Sequence, residues 1–577
     1  MTGASGRGHT RRQRAQKRTK EGERVTVSLR LGPLLRHVGT STATVWVETD
    51  HPCDVRIRLE NGVVEVARTF TVHGHHYAVC EIGDLPPGSS LAYEIFLDED
   101  RVWPEPDHEM PPSRLRTLDE DAPTRLLYGS CHTPTGDTPE GLVRHGPDLL
   151  RATARRLARE EVEDNLVLLL IGDQVYADEL QEPMRAFLAR AREEGDDDAP
   201  DDEVVHYDEY AELYRQAWSD PQVRWLLSTV PTLMVFDDHD IRDDWNTSAA
   251  WRRSMDAHPW WRTRVTSGLG AYWVYQHVGN LSPEARDKDP LWAELTGARE
   301  RGDDAGDVLD AFAWRAHTEP SSYRWSHRHD IGDVRVLVTD TRCGRALGEG
   351  DPSDGSRSIL GPDGHDWLDE HLTGGPEHVV VASTVPVLLP PAVHHLEAWN
   401  EAVCGGAWGS AARGPAERLR QGLDLEHWGA FQYSFHRLAD AVLEVARGER
   451  GPAPATVLLL SGDVHFSYRA RAHARAGETS SRVTQLVSSA LCNQLTVNLR
   501  RAATLSASAP LHLAGAIMTR LAGVRRAPLR WALAERPFFG NTIGEVRFEG
   551  RDALARWYHC PQGGDDALPE VRRSVDL

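Results

Sequence analysis

The sequence predicts an α/β protein preceded by a small β-sandwich. Three observations carry this. Apolar and charged residues alternate before residue 118, and beyond Pro123 seven apolar strand-like runs are separated by helical stretches. Five of those runs end in polar clusters. At 577 residues the chain is too long for one ordinary core, so more than one domain is expected. Its 40% hydrophobic content and 18 tryptophans are enough to pack them.

The first element, residues 1–24, is basic and polar ("MTGASGRGHTRRQRAQKRTKEGE…"). No apolar stretch follows Arg11-Arg12, so the centre of a secretion signal is missing, and the segment reads as a disordered tail. Residues 25–118 carry the signals of a β-sandwich. In "DVRIRLENGVV", Val55, Ile57 and Leu59 share one face and Arg56 and Arg58 the other, and Asn61-Gly62 is a hairpin turn. A second turn, "DLPPGSS", precedes the strand "LAYEIFL". Strands this short and this closely spaced predict a fibronectin-like sandwich with nothing catalytic in it.

Residues 124–500 read as the α/β domain, with strands "RLLYGS", "LVLLLIG", "TLMVF", "VRVLVT", "HVVVAS", "TVLLLSG" and "VTQLVSS". Cys131-His132, Asp173, Asp237 to Asp240, Asp340-Thr341-Arg342 and Asp463-Val464-His465 each follow a strand. One aspartate after a strand is an ordinary loop or cap residue. Five clusters at the same end of five strands predict one crevice, because open α/β sheets bind ligands outside the carboxyl ends of their strands. "GDDDAPDDE" reads as a solvated acidic loop, and Trp251 to Trp273 as a lid or as helical packing. Residues 501–577 read as a helix and a hairpin around "EVRFEGRDALARWYHC", packed back on the catalytic domain.

Composition narrows the function. The net charge of −22 argues against a stable nucleic-acid complex, but metals can reverse the field locally for a small phosphorylated substrate. Seven dispersed cysteines read as reduced thiols. The run "LHLAGAIM" is far short of the ~20 residues of a membrane span. A cytoplasmic protein is therefore expected, and its oligomeric state is left open.

Four stretches could carry chemistry. "PTLMVFDDHDIRDDWN" crowds five aspartates around one histidine, which costs several kcal/mol on burial unless a cation sits among them; a solvated loop is the alternative. In "LIGDQVYAD", Asp173 and Tyr176 are one helical turn apart and can face one cation, a phenolate suiting a trivalent metal; a half-buried hydrogen-bonded tyrosine is equally open. "SGDVHFSY" offers Asp463 and His465 as adjacent donors, and "YGSCH" offers Cys131 as a thiolate or as a small buried hydrophobe.

Taken in order, "GSCH", "GDQVYAD", "FDDHD…DDWN", "TDTR" and "SGDVHFS" resemble the PhoD-like (alkaline phosphatase D) family of metallophosphoesterases, over roughly Thr124 to Ser489. The resemblance implies a metallophosphoesterase-like two-sheet α/β sandwich, commonly preceded by a β-sandwich. It implies hydrolysis of phosphate monoesters, diesters or both by a hydroxide activated between two metal ions, Fe3+ plus Ca2+ or another divalent cation. Carried over by position, Asp173 bridges the ions. Cys131, Tyr176 and His465 hold the iron, and Asp238 and Asp463 hold the second ion. His239 touches the substrate, and Arg342 and Asn246 contact phosphoryl oxygens; an adjacent carboxylate such as Asp240 is expected to orient His239. Asp237 binds either the site or backbone, while Asp243 and Asp244 are expected to be exposed at a helix start. His427 and Trp428 in "DLEHWGAF" resemble a pocket-rim segment or begin an amphipathic helix. Asp240 stands where the family pattern has glutamate. The competing reading is a non-catalytic metal-containing scaffold acting through its β-sandwich. An amide-cleaving metallohydrolase is disfavoured because no His-x-His pair follows the first strand of the α/β domain.

Overall fold

The computed structural model describes residues 26–577 apart from 108, 136, 193–198, 350–353, 562 and 565. The expected basic tail lies outside the described residues, as does part of the acidic loop.

The amino-terminal unit is a sandwich of two antiparallel sheets. One contains Leu29–Val38, Ala43–Thr49, His75–Ile82 and Phe70–Val72. The other contains Val64–Arg68, Asp54–Leu59, Ser90–Leu97 and Asp100–Trp103, with Arg114–Arg116 paired onto Ser90–Leu97. Val55, Ile57 and Leu59 point into its core, Arg58 is exposed, and Gly62 takes the positive φ that the hairpin turn needs.

The catalytic unit is built on two sheets. The first orders Thr232–Val235, Asn165–Ile171, Thr124–Gly129, Ile543–Glu549, Asp552–His559 and Glu570–Asp576, its first three strands parallel. The second orders His327–Ile331, Val334–Thr339, His378–Ser383, Thr456–Ser461, Arg482–Val487, Tyr468–Ala474 and Leu529–Leu533, with four parallel strands at its heart. Alternate residues such as Leu126, Val167, Leu169 and Val235 of the first sheet pack against Val336, Val380 and Leu458 of the second. Their neighbours Leu127, Leu168 and Leu170 face helices on one side, and Val379, Val381 and Leu459 face helices on the other. Burial on both faces explains why these strands read as continuous apolar runs.

One expectation changes, and one left open is settled. The carboxyl-terminal hairpin is not packed onto the catalytic domain but is part of its first sheet, with Ile543–Glu549 antiparallel to Thr124–Gly129. Leu529–Leu533 likewise extends the second sheet, so a boundary at residue 500 divides nothing. The tryptophan-rich insertion resolves to helical packing: Ala249–Asp256 and Trp261–Tyr272 are helices, and Trp251, Trp261 and Trp273 are core residues. Leu31, Trp46 and Phe70 of the sandwich share that core. Among the described residues, no helix is long and apolar enough to cross a membrane.

Candidate metal centre

Parallel strands end at one edge, and that edge gathers the polar clusters. Cys131 follows Thr124–Gly129, Asp173 follows Asn165–Ile171, and Asp237 and Asp238 follow Thr232–Val235. Across the interface, Asp463 and His465 follow Thr456–Ser461 of the second sheet. Four of these residues are held at positive φ: Cys131 at 60°, Asp173 at 48°, Asp463 at 66° and His465 at 55°. That conformation costs a side-chain-bearing residue roughly 1–2 kcal/mol. Strain gathered at one spot marks a geometry the fold imposes.

Ligand atoms of Cys131, Asp173 and His465 all lie within 4.8 Å of one another, and so do those of Asp173, Asp238 and Asp463. Asp173 belongs to both groups. Its Oδ2 is 3.2 Å from the Cys131 sulfur, while its buried Oδ1 has no partner among the described residues. Tyr176 is buried in one cluster with Cys131, and its hydroxyl faces Cys131 and Asn493 without a well-formed hydrogen bond.

These residues fit a pair of cations. An unpartnered buried polar atom costs ~1–3 kcal/mol, and cations held here would satisfy Asp173 Oδ1 and the Tyr176 phenol. Burial pushes the carboxyls of Asp173 and Asp238, the Cys131 thiol and the Tyr176 phenol well above their ordinary ranges, because so many anions cannot coexist unneutralised. Burial also takes His465 down to about 4, leaving a neutral imidazole with a free lone pair. Sulfur, phenol, imidazole and carboxylate surround one position and carboxylates alone the other, a donor contrast suited to two different metals.

His239 sits in the short 3-10 turn Asp238–Asp240, its ring 4.6 Å from that of Tyr176. Its Nδ1 is 2.9 Å from Asp178 Oδ1, and Nε2 is 3.6 Å from Asp243 Oδ1. The orienting carboxylate is thus Asp178, not Asp240. Asp240 is occupied by the backbone N–H groups of Asp237 and Gln174 and by the Gln276 amide. Burial opposes the imidazolium, but Asp178 overrides it and holds the His239 pKa well above its ordinary value.

Arg342 is enclosed by carboxylates, and Asn246 is buried beside it. The Arg342 guanidinium is fully buried and pairs with Asp237, with Asp238 Oδ1 at 3.0 Å and with both Glu426 oxygens at 2.6 and 2.8 Å. Asn246, 2% exposed, donates to the Arg342 carbonyl at 3.2 Å. Asp237 therefore faces the arginine. No helix starts at Asp243 and Asp244: they lie in a turn, where Asp243 is exposed and the Asp244 N–H donates to Asp238 Oδ2 at 2.9 Å. The next helix begins at Ala249, capped by Ser248.

The profile of the PhoD-like phosphatases matches residues 150–502, more than half of the chain. The chain belongs to the PhoD-like phosphatase family. It is a phosphoric ester hydrolase. Cys131 lies ahead of the matched span, and the other expected site residues lie within it. A domain of unknown function, DUF7800, matches residues 26–115. The solved structure of PhoD is similar, with a TM-score of 0.59 at 13% identity over 96% of this chain and 91% of that one. Purple acid phosphatase PPD1 from yellow lupin (Lupinus luteus) seeds gives 0.47 at 9% identity over 94% and 73%. No curated protein matches.

The site of this PhoD-like phosphatase also contains Glu397, Glu426 and Asp178, which sequence reasoning passed over, and gives His427 a place that its pocket-rim resemblance did not specify. His427 bridges Glu397 Oε1 at 2.7 Å and Asp463 Oδ2 at 2.9 Å, and Glu426 next to it closes on Arg342 and Arg345. Burial alone would raise the Asp463 pKa, but the bond from His427 brings it below the usual carboxylate range. Trp428 is no rim residue: it is fully buried, donates to Ser383 Oγ at 2.9 Å and opens a short 3-10 turn. Asp178 closes the quoted "GDQVYAD" and could have been found there. Glu397, inside the helix Pro391–Cys404, carries no sequence signal.

Proposed function

We propose that this phosphatase hydrolyses small phosphate esters, mono- or diesters, at a two-metal centre bridged by Asp173. The reading is carried by one observation: two ligand groups share that single carboxylate. Cys131, Asp173, Tyr176 and His465 would hold one ion, Fe3+ by its donors. Asp173, Asp238 and Asp463 would hold the other, Ca2+ or another divalent cation. When bound, such a pair supplies Lewis acidity and offsets the negative charge that grows on phosphorus.

The chain's own residues do the rest. Asp178 fixes Nδ1 of His239, so Nε2 points outward to give a proton to the leaving oxygen. Arg342 acts as a positioning residue, holding Asp237 and Asp238 in place. Glu397 and His427 together orient Asp463.

The test is metal analysis of purified protein alongside hydrolysis of para-nitrophenyl and bis-para-nitrophenyl phosphate. Asp173→Ala is expected to lose turnover and both metals. Loss of one metal alone overturns the bridge, and metal-loaded wild-type protein inert on both esters overturns the proposed substrate class.

A further inference from the structure

The helices Val497–Ser506 and Ala509–Leu521 are packed the wrong way round for a water-facing hairpin. The second lays its small residues inward: Gly515 approaches His395 so closely that an added Cβ would stand 2.8 Å from the His395 Cβ, and Thr519 and Ala522 are buried. Its large apolar residues point out, with Leu513 65%, Ile517 52% and Leu521 72% exposed. Spaced four apart, these three form one stripe. The first helix buries no residue and exposes Val497, Leu499 and Leu505. Contiguous apolar surface of this kind marks a place of contact.

Charge indicates what it contacts. In a chain of net charge −22, Thr479 to Ala534 holds seven arginines and no aspartate or glutamate. Arg501, Arg520, Arg525 and Arg526 are exposed on or beside the two helices. An outward apolar stripe flanked by arginines matches an anionic lipid surface, where the rings of charge meet headgroups and the leucines enter the acyl boundary. A nucleic acid would use the arginines but leave the stripe in water.

We propose that residues 497–526 dock this enzyme on an anionic lipid bilayer surface through Leu513, Ile517 and Leu521. The hairpin starts close to the metal centre. Asn493 lies against Tyr176, and three residues of chain to Thr496 span at most about 11 Å. The proposal does not depend on the metals or on the substrate class.

The experiment is flotation of the full chain with two kinds of vesicle, phosphatidylcholine alone and phosphatidylcholine with phosphatidylglycerol. Wild-type protein is expected to float with the anionic vesicles at least tenfold more than with the neutral ones, and less as salt rises. The double variant Leu513→Glu, Ile517→Glu is expected to lose flotation while keeping its melting temperature and its turnover of para-nitrophenyl phosphate. Arg525→Glu with Arg526→Glu is expected to weaken it. No flotation, or equal flotation with both vesicles, overturns the proposal. So does a wild-type dimer in light scattering that Leu513→Glu, Ile517→Glu converts to monomer, since a second copy then covers the stripe.

Discussion

At His239 two carboxylates approach one imidazole from opposite sides. Asp178 is 7% exposed at its side chain and holds Nδ1, while Asp243 is 63% exposed and lies farther off Nε2. The buried partner fixes the ring, and the exposed one yields its place to a leaving group. His239→Ala is therefore expected to lower kcat by about 10²–10⁴-fold with both metals retained. Steady-state kinetics with elemental analysis checks this, and loss of a metal would show that the ring is a ligand. Asp178→Asn is expected to fall between the two. The gathering of Cys131, Asp173, Tyr176, Asp238, Asp463 and His465 at one edge was legible because each stands directly at or just after a strand end. Their holders were not. Glu397, Glu426 and His427 act through pairings between elements distant in sequence, and a buried Glu–His–Asp chain looks like ordinary helix and loop residues until the fold closes it. Arg342 meets the same limit: an arginine after a strand end shows its charge, not which carboxylates will surround it.

Elements tell a similar story one level up. The seven strands were readable because parallel strands covered on both faces leave unbroken apolar runs. The sheet membership of Ile543–Glu549 was not, since an antiparallel partner from the far end of the chain has no local signature. Between the helix Ser410–Gly422 and the turn at Trp428, a short connection delivers Glu426 to two buried arginines, Arg342 and Arg345. Removing one member of a buried ion network typically costs about 3–5 kcal/mol. Glu426→Ala is expected to lose that much in chemical denaturation and to lower activity by loosening Asp237 and Asp238. An unchanged denaturation midpoint would mean that the remaining aspartates neutralise both arginines unaided.

Across the whole molecule, the sandwich is fastened to the catalytic unit by polar contacts set in an apolar seam. Tyr77 meets the hydroxyls of Tyr275 and Tyr207 at 3.0 and 3.1 Å, and His75 lies 3.0 Å from both Glu48 and Asp208. Burial works against the His75 imidazolium, but the two carboxylates overcome it and raise its pKa to about 9. A raised folded value stabilises fully below the unfolded pKa of roughly 6.5 and is lost as pH climbs through about 9. The wild-type melting temperature is expected to fall over that window more steeply than that of His75→Gln, by differential scanning calorimetry. Parallel curves would remove His75 from the account. The place of Ile543–Glu549 beside Thr124–Gly129 carries a consequence for biosynthesis. A nascent chain that has emerged from the ribosome through His465 already contains every expected metal-binding residue, yet the strand leading into Cys131 still has one bare edge. The sheet that carries Cys131, Asp173 and Asp238 is thus completed only after translation has passed the hairpin, and a messenger interrupted before it yields a polypeptide with all its expected ligands and an unfinished first sheet.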